Sequence, residues 1–114
     1  MDVRFVDTTF RDGSQSLWAS GMRFGMIEAV AGDMDRAGFA AVEVPVHGIY
    51  FKKFVRDLKE DPWEMARMVA RKMPNTLKSC MAGGGFHPFE PPPPRAVAEL
   101  FYTRIAAIGA QNRA

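Results

Sequence analysis

Short runs of β-forming residues alternate along the chain with longer stretches whose apolar positions recur at helical spacing. Val3 to Asp7, prolonged by Thr8 and Thr9, reads as a first strand. It runs into a polar loop, Phe10 to Gln15, with Gly13 available for a turn. After Ser20-Gly21, Met26, Val30 and Met34 fall at i, i+4 and i+8, with Ile27 and Ala31 beside them, which predicts a helix. Gly38 is placed to stop it. Phe39 to Val44 predicts a second strand, closed by Pro45, which has no N–H for a ladder. Ile49 to Leu58 carries a weaker stripe of Phe51, Phe54, Val55 and Leu58.

Asp61-Pro62-Trp63-Glu64 is a sharper signal: Asp at the N-cap, Pro at the first helical position and Glu two residues beyond it, a start like a capping box. The helix it opens runs through Met65, Met68, Val69 and Met73 and must stop before Pro74. After the Asn75-Thr76 turn, Leu77 to Met81 predicts a third strand, followed by Ala82-Gly83-Gly84-Gly85. A stiff loop, Phe86 to Glu90, leads to four prolines, Pro91 to Pro94, read as a spacer that aims a last helix. That helix starts at Arg95 and places Val97, Leu100, Phe101, Ile105 and Ile108 on one face, with no capping signal near its end.

The order β-α-β-α-β-α predicts an α/β fold with a parallel sheet. The length of 114 residues fits one small domain. Fifteen basic and 13 acidic residues leave a net charge of +2, which excludes a strongly basic nucleic-acid binder. A single cysteine, Cys80, excludes an internal disulfide and a four-cysteine zinc site. No stretch approaches the roughly 20 apolar residues of a membrane span. The start lacks the pattern of a signal peptide, so a cytoplasmic protein is expected, with no nucleic-acid or membrane partner.

In parallel α/β folds the functional groups gather at the C-terminal ends of the strands. Here those ends offer Asp7, Arg11, Asp12 and Gln15, then Glu43 and His47, then the glycine run and His87. Asp12 is a hard oxygen donor suited to a divalent cation. Arg11 can set a permanent planar charge against an enolate or carboxylate oxygen. Gln15 can both donate to and accept from a substrate carboxylate or amide. Glu43 is open to three roles: a second ligand, a base, or an acceptor that orients Arg11. Against these stand plainer readings. Arg11 and Asp12 can form a mere surface ion pair. His47 and His87 are isolated, the glycine run lacks nucleotide-loop spacing, the methionines fill a core, and Cys80 is a buried, inert thiol.

The run Val6-Asp7-Thr8-Thr9-Phe10-Arg11-Asp12-Gly13-Ser14-Gln15-Ser16-Leu17-Trp18-Ala19, with Met22-Arg23 after it, resembles the opening strand and loop of the pyruvate carboxyltransferase domain. Glu43-Val44 resembles the end of that family's second strand. Glu60-Asp61-Pro62-Trp63-Glu64 and Met73-Pro74-Asn75-Thr76 are similar to a second stretch typical of its biotin-dependent branch. That branch includes pyruvate carboxylase, the oxaloacetate decarboxylase α subunit and the transcarboxylase 5S subunit; HMG-CoA lyase belongs to the wider group. The likeness covers about residues 3 to 85. Two positions depart from the branch pattern. Ala82 stands where it usually has an arginine at the end of strand three, and Pro45-Val46-His47-Gly48 replaces a shorter Gly-Gly run.

The resemblance implies a partial (β/α)₈ TIM barrel, about the first three β/α units, with residues 1–114 as the N-terminal portion of the domain. It implies Asp12 as a metal ligand, Arg11 as the stabiliser of an enolate, Gln15 as a substrate contact and Glu43 as a catalytic or supporting group. The cofactors implied are a divalent metal (Mn, Mg, Zn or Co) and biotin on a separate carrier. The substrate implied is a small 2-oxo acid or acyl compound. Because a whole barrel takes about 250 residues, the chain alone is expected to turn over little or nothing. It is expected to associate through its open sheet edges or to need a complementing polypeptide. Three readings follow: a carboxyltransferase piece, a member of the lyase and aldolase branch that makes or breaks a C–C bond, or a non-catalytic remnant or association module. The departure at Ala82 leans toward the second, and the Asp61 to Glu64 stretch leans away from it.

Overall fold

The computed structural model of the chain describes residues 1–46, 48–81 and 93–112. His47, the glycine run at 83–85 and His87 lie outside the described residues. Among the described residues four strands form one sheet: β1 (Val6–Asp7), β2 (Ala41–Glu43), β3 (Leu77–Cys80) and β4 (Ala110–Asn112). They lie in the order β1-β2-β3-β4 and every neighbouring pair is parallel. The register sets Val6 beside Ala41, Glu43 beside Ser79 and Cys80 beside Asn112.

That order decides the architecture. Each crossover advances one place in the same direction, and crossovers of parallel strands share one hand, so the helices collect on one face of the sheet. A doubly wound sheet would reverse its order part-way. The winding here is that of a barrel wall, and the sheet is open rather than closed. The helices are α1 (Ser14–Trp18), α2 (Phe24–Arg36), α3 (Gly48–Lys52), α4 (Pro62–Lys72) and α5 (Arg95–Ile108). Among them no helix is long and apolar enough to cross a membrane.

Alternation along β2 separates the two faces of the sheet. Val42 and Val44 turn to the helices and are buried with Cys80, Ile27, Ala31 and Met68. Glu43, between them, takes the opposite face. The α4 start forms as its residues dictate: the Asp61 carboxylate accepts the Trp63 N–H at 2.8 Å and Pro62 opens the helix. The reciprocal arm of a capping box does not form, because Glu64 pairs with Arg67 instead. Asn75-Thr76 is fixed by Asp35 at the end of α2, whose carboxylate takes the N–H groups of Asn75 (3.1 Å) and Thr76 (2.8 Å) and the Asn75 amide (2.9 Å). At the other end of α2, Glu60 accepts the Phe24 N–H at 3.0 Å and the Arg23 guanidinium at 3.1 Å. An acid at a helix N-terminus also meets the favourable end of the helix dipole. The Glu60 to Glu64 and Met73 to Thr76 stretches are thus the clamps that seat α2 and start α4.

Several expectations are corrected. Phe10 to Gln15 is not an open loop. Thr9–Gly13 winds into a π-helical turn that continues directly into α1, and Phe10 is fully buried. Gly13 is helical. The chain reverses at Ala19 and Ser20, both left-handed, with φ of 49° and 63°. The weak stripe over Ile49 to Leu58 resolves into α3 and a second π-helical stretch, Lys53–Leu58. The α5 face is narrower than its sequence pattern: Ile105 is buried and Phe101 and Ile108 half-buried, whereas Val97 and Leu100 are exposed. On α2, Ile27 and Ala31 are buried while Met26 and Val30 are exposed. Phe101 completes an aromatic cluster with Phe51 and Trp63, ring centroids 5.0–5.8 Å apart, that ties α3, α4 and α5 together. β4 escaped the sequence reading because Ala-Gln-Asn carries no β signal. Gly109, at φ 98°, is the unrecognised stop of α5 that precedes it, as Gly38, at φ 82°, follows α2.

Candidate functional site

β1 ends one residue before Thr8, and the chain then winds rather than extends. The Asp7 carboxylate turns back to accept the Thr9 N–H and hydroxyl, each at 2.9 Å. These two bonds hold the start of the turn. The Thr8 carbonyl gathers three N–H groups, from Arg11 (3.2 Å), Asp12 (2.7 Å) and Gly13 (3.1 Å). This wide turn brings Arg11 over the end of β2, where Glu43 stands on the face of the sheet away from the helices.

The Glu43 Oε2 atom accepts from Arg11 Nε at 2.9 Å and lies 2.8 Å from Nη2. Arg11 Nη1 donates to Asp12 Oδ1 at 3.0 Å. The guanidinium is therefore held by two carboxylates on different elements. The side chains of Arg11 and Glu43 are each 14% exposed, against 55% for Asp12. Glu43 meets Arg11 here, the contact that an orienting acceptor would make. Gln15 lies exposed on the first turn of α1. The Arg11 peptide is also held from beneath, where the Tyr50 hydroxyl donates to the Arg11 carbonyl. Tyr50 and the nearby Ser14 and Ser20 are all buried. Burial pushes the Tyr50 phenol above its usual range, against the lowering effect of hydrogen bonds with Ser20 and Ser14. Burial also pushes the Cys80 thiol up, and the Glu43 charge adds to it, so the thiol stays protonated and unreactive.

For a cation, this arrangement supplies one exposed carboxylate, Asp12. Among the described residues no three His, Cys, Asp or Glu side chains converge to hold a metal. Glu43 is committed to Arg11. Asp12 thus suits one corner of an oxygen-donor set, and the described residues do not furnish the rest. Of the residues singled out in the sequence, Arg11, Asp12 and Glu43 meet at one place. Sequence reading missed Tyr50, which lies in the Ile49 to Leu58 stretch but outside its stripe, its one signal being the four-residue spacing to Phe54.

No family model matches the chain. Among curated proteins it is 45% identical over 74 residues to a pyruvate carboxylase subunit of Methanocaldococcus jannaschii, covering 65% of this chain and 13% of that protein. It is 35% identical over 83 residues to the methylmalonyl-CoA carboxyltransferase 5S subunit of Propionibacterium freudenreichii subsp. shermanii, covering 73% of this chain and 16% of that one. Among solved structures, the carboxyl transferase domain of Rhizobium etli pyruvate carboxylase, crystallised with pyruvate and biocytin, superposes with a TM-score of 0.86 and 32% identity. That match covers 97% of this chain and 19% of the other. The chain therefore spans less than a fifth of the length of each of these three proteins.

Proposed function

We propose that this chain, a homologue of part of the carboxyltransferase domain of biotin-dependent carboxylases, carries the anion-stabilising corner of a carboxyltransferase site. The observation that carries the reading is the Arg11 guanidinium, clamped by Glu43 and Asp12 at the mouth of β1 and β2. In this reading residues 1–114 are the N-terminal portion of a (β/α)₈ domain. Arg11 presents its charge to the oxygen of a 2-oxo acid or acyl substrate, where negative charge grows as an enolate forms. Glu43 holds the guanidinium in that pose. Gln15, exposed on the first turn of α1, hydrogen-bonds the substrate carboxylate. Asp12 contributes one ligand to a divalent metal, and that metal would polarise the substrate's oxo group when bound. The carboxyl group travels on biotin attached to a separate carrier, in the cytoplasm.

Because the described residues give the metal one carboxylate, the chain alone has little or no turnover and acts with a complementing polypeptide or with the rest of a barrel. Its outer strands, β1 and β4, are the edges through which it would associate. The matched proteins are named carboxylases and a carboxyltransferase, which supports this reading over the lyase branch.

The test is a chimera in which this chain replaces the matched part of the Rhizobium etli domain. Carboxyl transfer to a 2-oxo acid that avidin abolishes is the expected result. Arg11→Lys should lower kcat/KM by about a hundredfold, since a point charge cannot reproduce a planar fork and an anion-hole donor is worth 10²–10³. Wild-type kcat/KM in that variant removes Arg11 from the reaction, and C–C cleavage that survives avidin moves the chain to the lyase branch. Turnover by the isolated chain that depends on Asp12 would overturn its incompleteness.

A further inference from the structure

The clamp on the Arg11 head does not by itself fix the residue. An arginine side chain has four rotatable bonds, so a tethered guanidinium is well placed only if its main chain is also held. The main chain of Arg11 lies in a π-helical turn, a rare form seen mostly as single-turn bulges. The support is visible. The Arg11 carbonyl accepts the Ser14 N–H within the turn and the Tyr50 hydroxyl from the core. Tyr50 is 1% exposed, and its ring packs against Phe54 with centroids 6.4 Å apart.

We propose that Tyr50 is a positioning residue for Arg11: its phenol fixes the peptide from inside the core, while Glu43 fixes the guanidinium from the sheet. Glu43 ends β2, and Tyr50 lies in the α3 turn that follows it. Both arms holding Arg11 thus come from one βα segment. Arg11, though delivered by β1, is located relative to β2, and a shift of β1 alone would not carry the charge out of place. The functional meaning of this rests on the reading of Arg11 above; the contact itself is tested without any activity.

The experiment is NMR on the isolated chain. In the unaltered protein, the Arg11 Nε–H signal, assigned by its loss in Arg11→Lys, should be single and slow to exchange. In Tyr50→Phe, which keeps the ring and removes the hydroxyl, that exchange should accelerate at least about tenfold relative to the backbone N–H of Met68 in buried α4. A merely structural role would speed both in proportion. Equal acceleration, or none at Arg11, overturns the proposal. Should Tyr50→Phe fail to fold, the unaltered chain still decides: with Tyr50 labelled at its hydroxyl-bearing ring carbon, a hydroxyl held on the Arg11 carbonyl should exchange slowly enough to give separate protonated and deuterated signals in mixed light and heavy water, and one averaged signal overturns the proposal. If the chimera instead shows Arg11 to be dispensable, the functional reading fails while these results stand.

Discussion

Replacing Glu43 with glutamine isolates the charge of the clamp from its shape. The variant keeps an amide oxygen near Arg11 Nε but removes the negative charge that meets two guanidinium nitrogens at 2.8 and 2.9 Å. A hydrogen bond to a charged group is worth about 1.5–3 kcal/mol. Two unit charges about 4 Å apart at an effective dielectric of about 20 attract by about 4 kcal/mol before desolvation is subtracted. Two things reduce the loss: Arg11 keeps Asp12 at 3.0 Å, and a guanidinium released from Glu43 regains water. A net cost of about 1–3 kcal/mol follows, or roughly 4–12 °C in Tm for a domain near this size. The assay is urea unfolding followed by circular dichroism, on Glu43→Gln, Arg11→Met and the double variant. The coupling between the sites should be about 1–3 kcal/mol and should survive 0.5 M salt, because both side chains are largely shielded from solvent. A coupling below about 0.3 kcal/mol, or one that salt removes, would make Arg11 and Glu43 an ordinary solvated pair and dissolve the clamp.

Two further predictions concern the frame around the site. Asp35→Ala removes the acceptor for two backbone N–H groups and an amide at the start of β3, and should cost about 2 kcal/mol. Burial would raise the Asp35 carboxyl, but the hydrogen bonds from Thr76 and Asn75 outweigh it and hold the group below its usual range. A carboxyl lowered in the folded state stabilises fully above its unfolded value, about 3.9, and less as pH falls through its folded value. The gap between wild type and Asp35→Ala should therefore be constant above about pH 5 and close below about pH 4; a gap that widens in acid contradicts the assignment. Asp61→Ala removes the cap on α4 and should cost about 1 kcal/mol, against a few tenths for Asp61→Gly. A loss below about 0.3 kcal/mol in Asp61→Ala would mean that the Asp61 side chain does no capping.

The elements that could be read from the sequence are those whose signal is local. The α4 start at Asp61-Pro62 and the end of α2 before Gly38 rest on chemistry within a few residues and stand where predicted, and the strand before Pro45 forms but is shorter, Ala41–Glu43 within the predicted Phe39 to Val44. The elements that escaped depend on distant groups. The turn after β1 winds because Asp7 caps it, Thr8 collects its N–H groups and Tyr50, 39 residues from Arg11, supports it. β4 exists because β3 offers a ladder, not because Ala-Gln-Asn prefers to be extended. The apolar stripes misled in an instructive way. α4, with α2 and α5 beside it, buries Met65, Met68 and Val69 completely, while the flanking helices leave Met26, Val30, Val97 and Leu100 exposed. Helical periodicity marks which face is apolar, but burial requires a neighbour on that face.

The site shows the same division. The types and spacing of Arg11, Asp12 and Glu43 announced an acid and a cation at one rim, but three roles stayed open for Glu43 because no local feature distinguishes a ligand from a brace. What separates the roles is unequal exposure. A carboxylate that must meet a ligand stays accessible, and a group that must keep its aim is held by others. Asp12 is more than half exposed, with one oxygen on Arg11. Arg11 is shielded and held at its head by two acids and at its carbonyl by a phenol. Glu43 is as shielded as Arg11 and meets two of its nitrogens through a single oxygen. By that criterion Asp12 is the group presented outward, Arg11 the charge kept in register, and Glu43 and Tyr50 the two braces. On the proposed reading, Asp12, exposed and with one oxygen on Arg11, is the carboxylate that can also reach a ligand, whereas Glu43 is shielded against the guanidinium, so the chemistry proposed for this rim rests on Arg11 and Asp12.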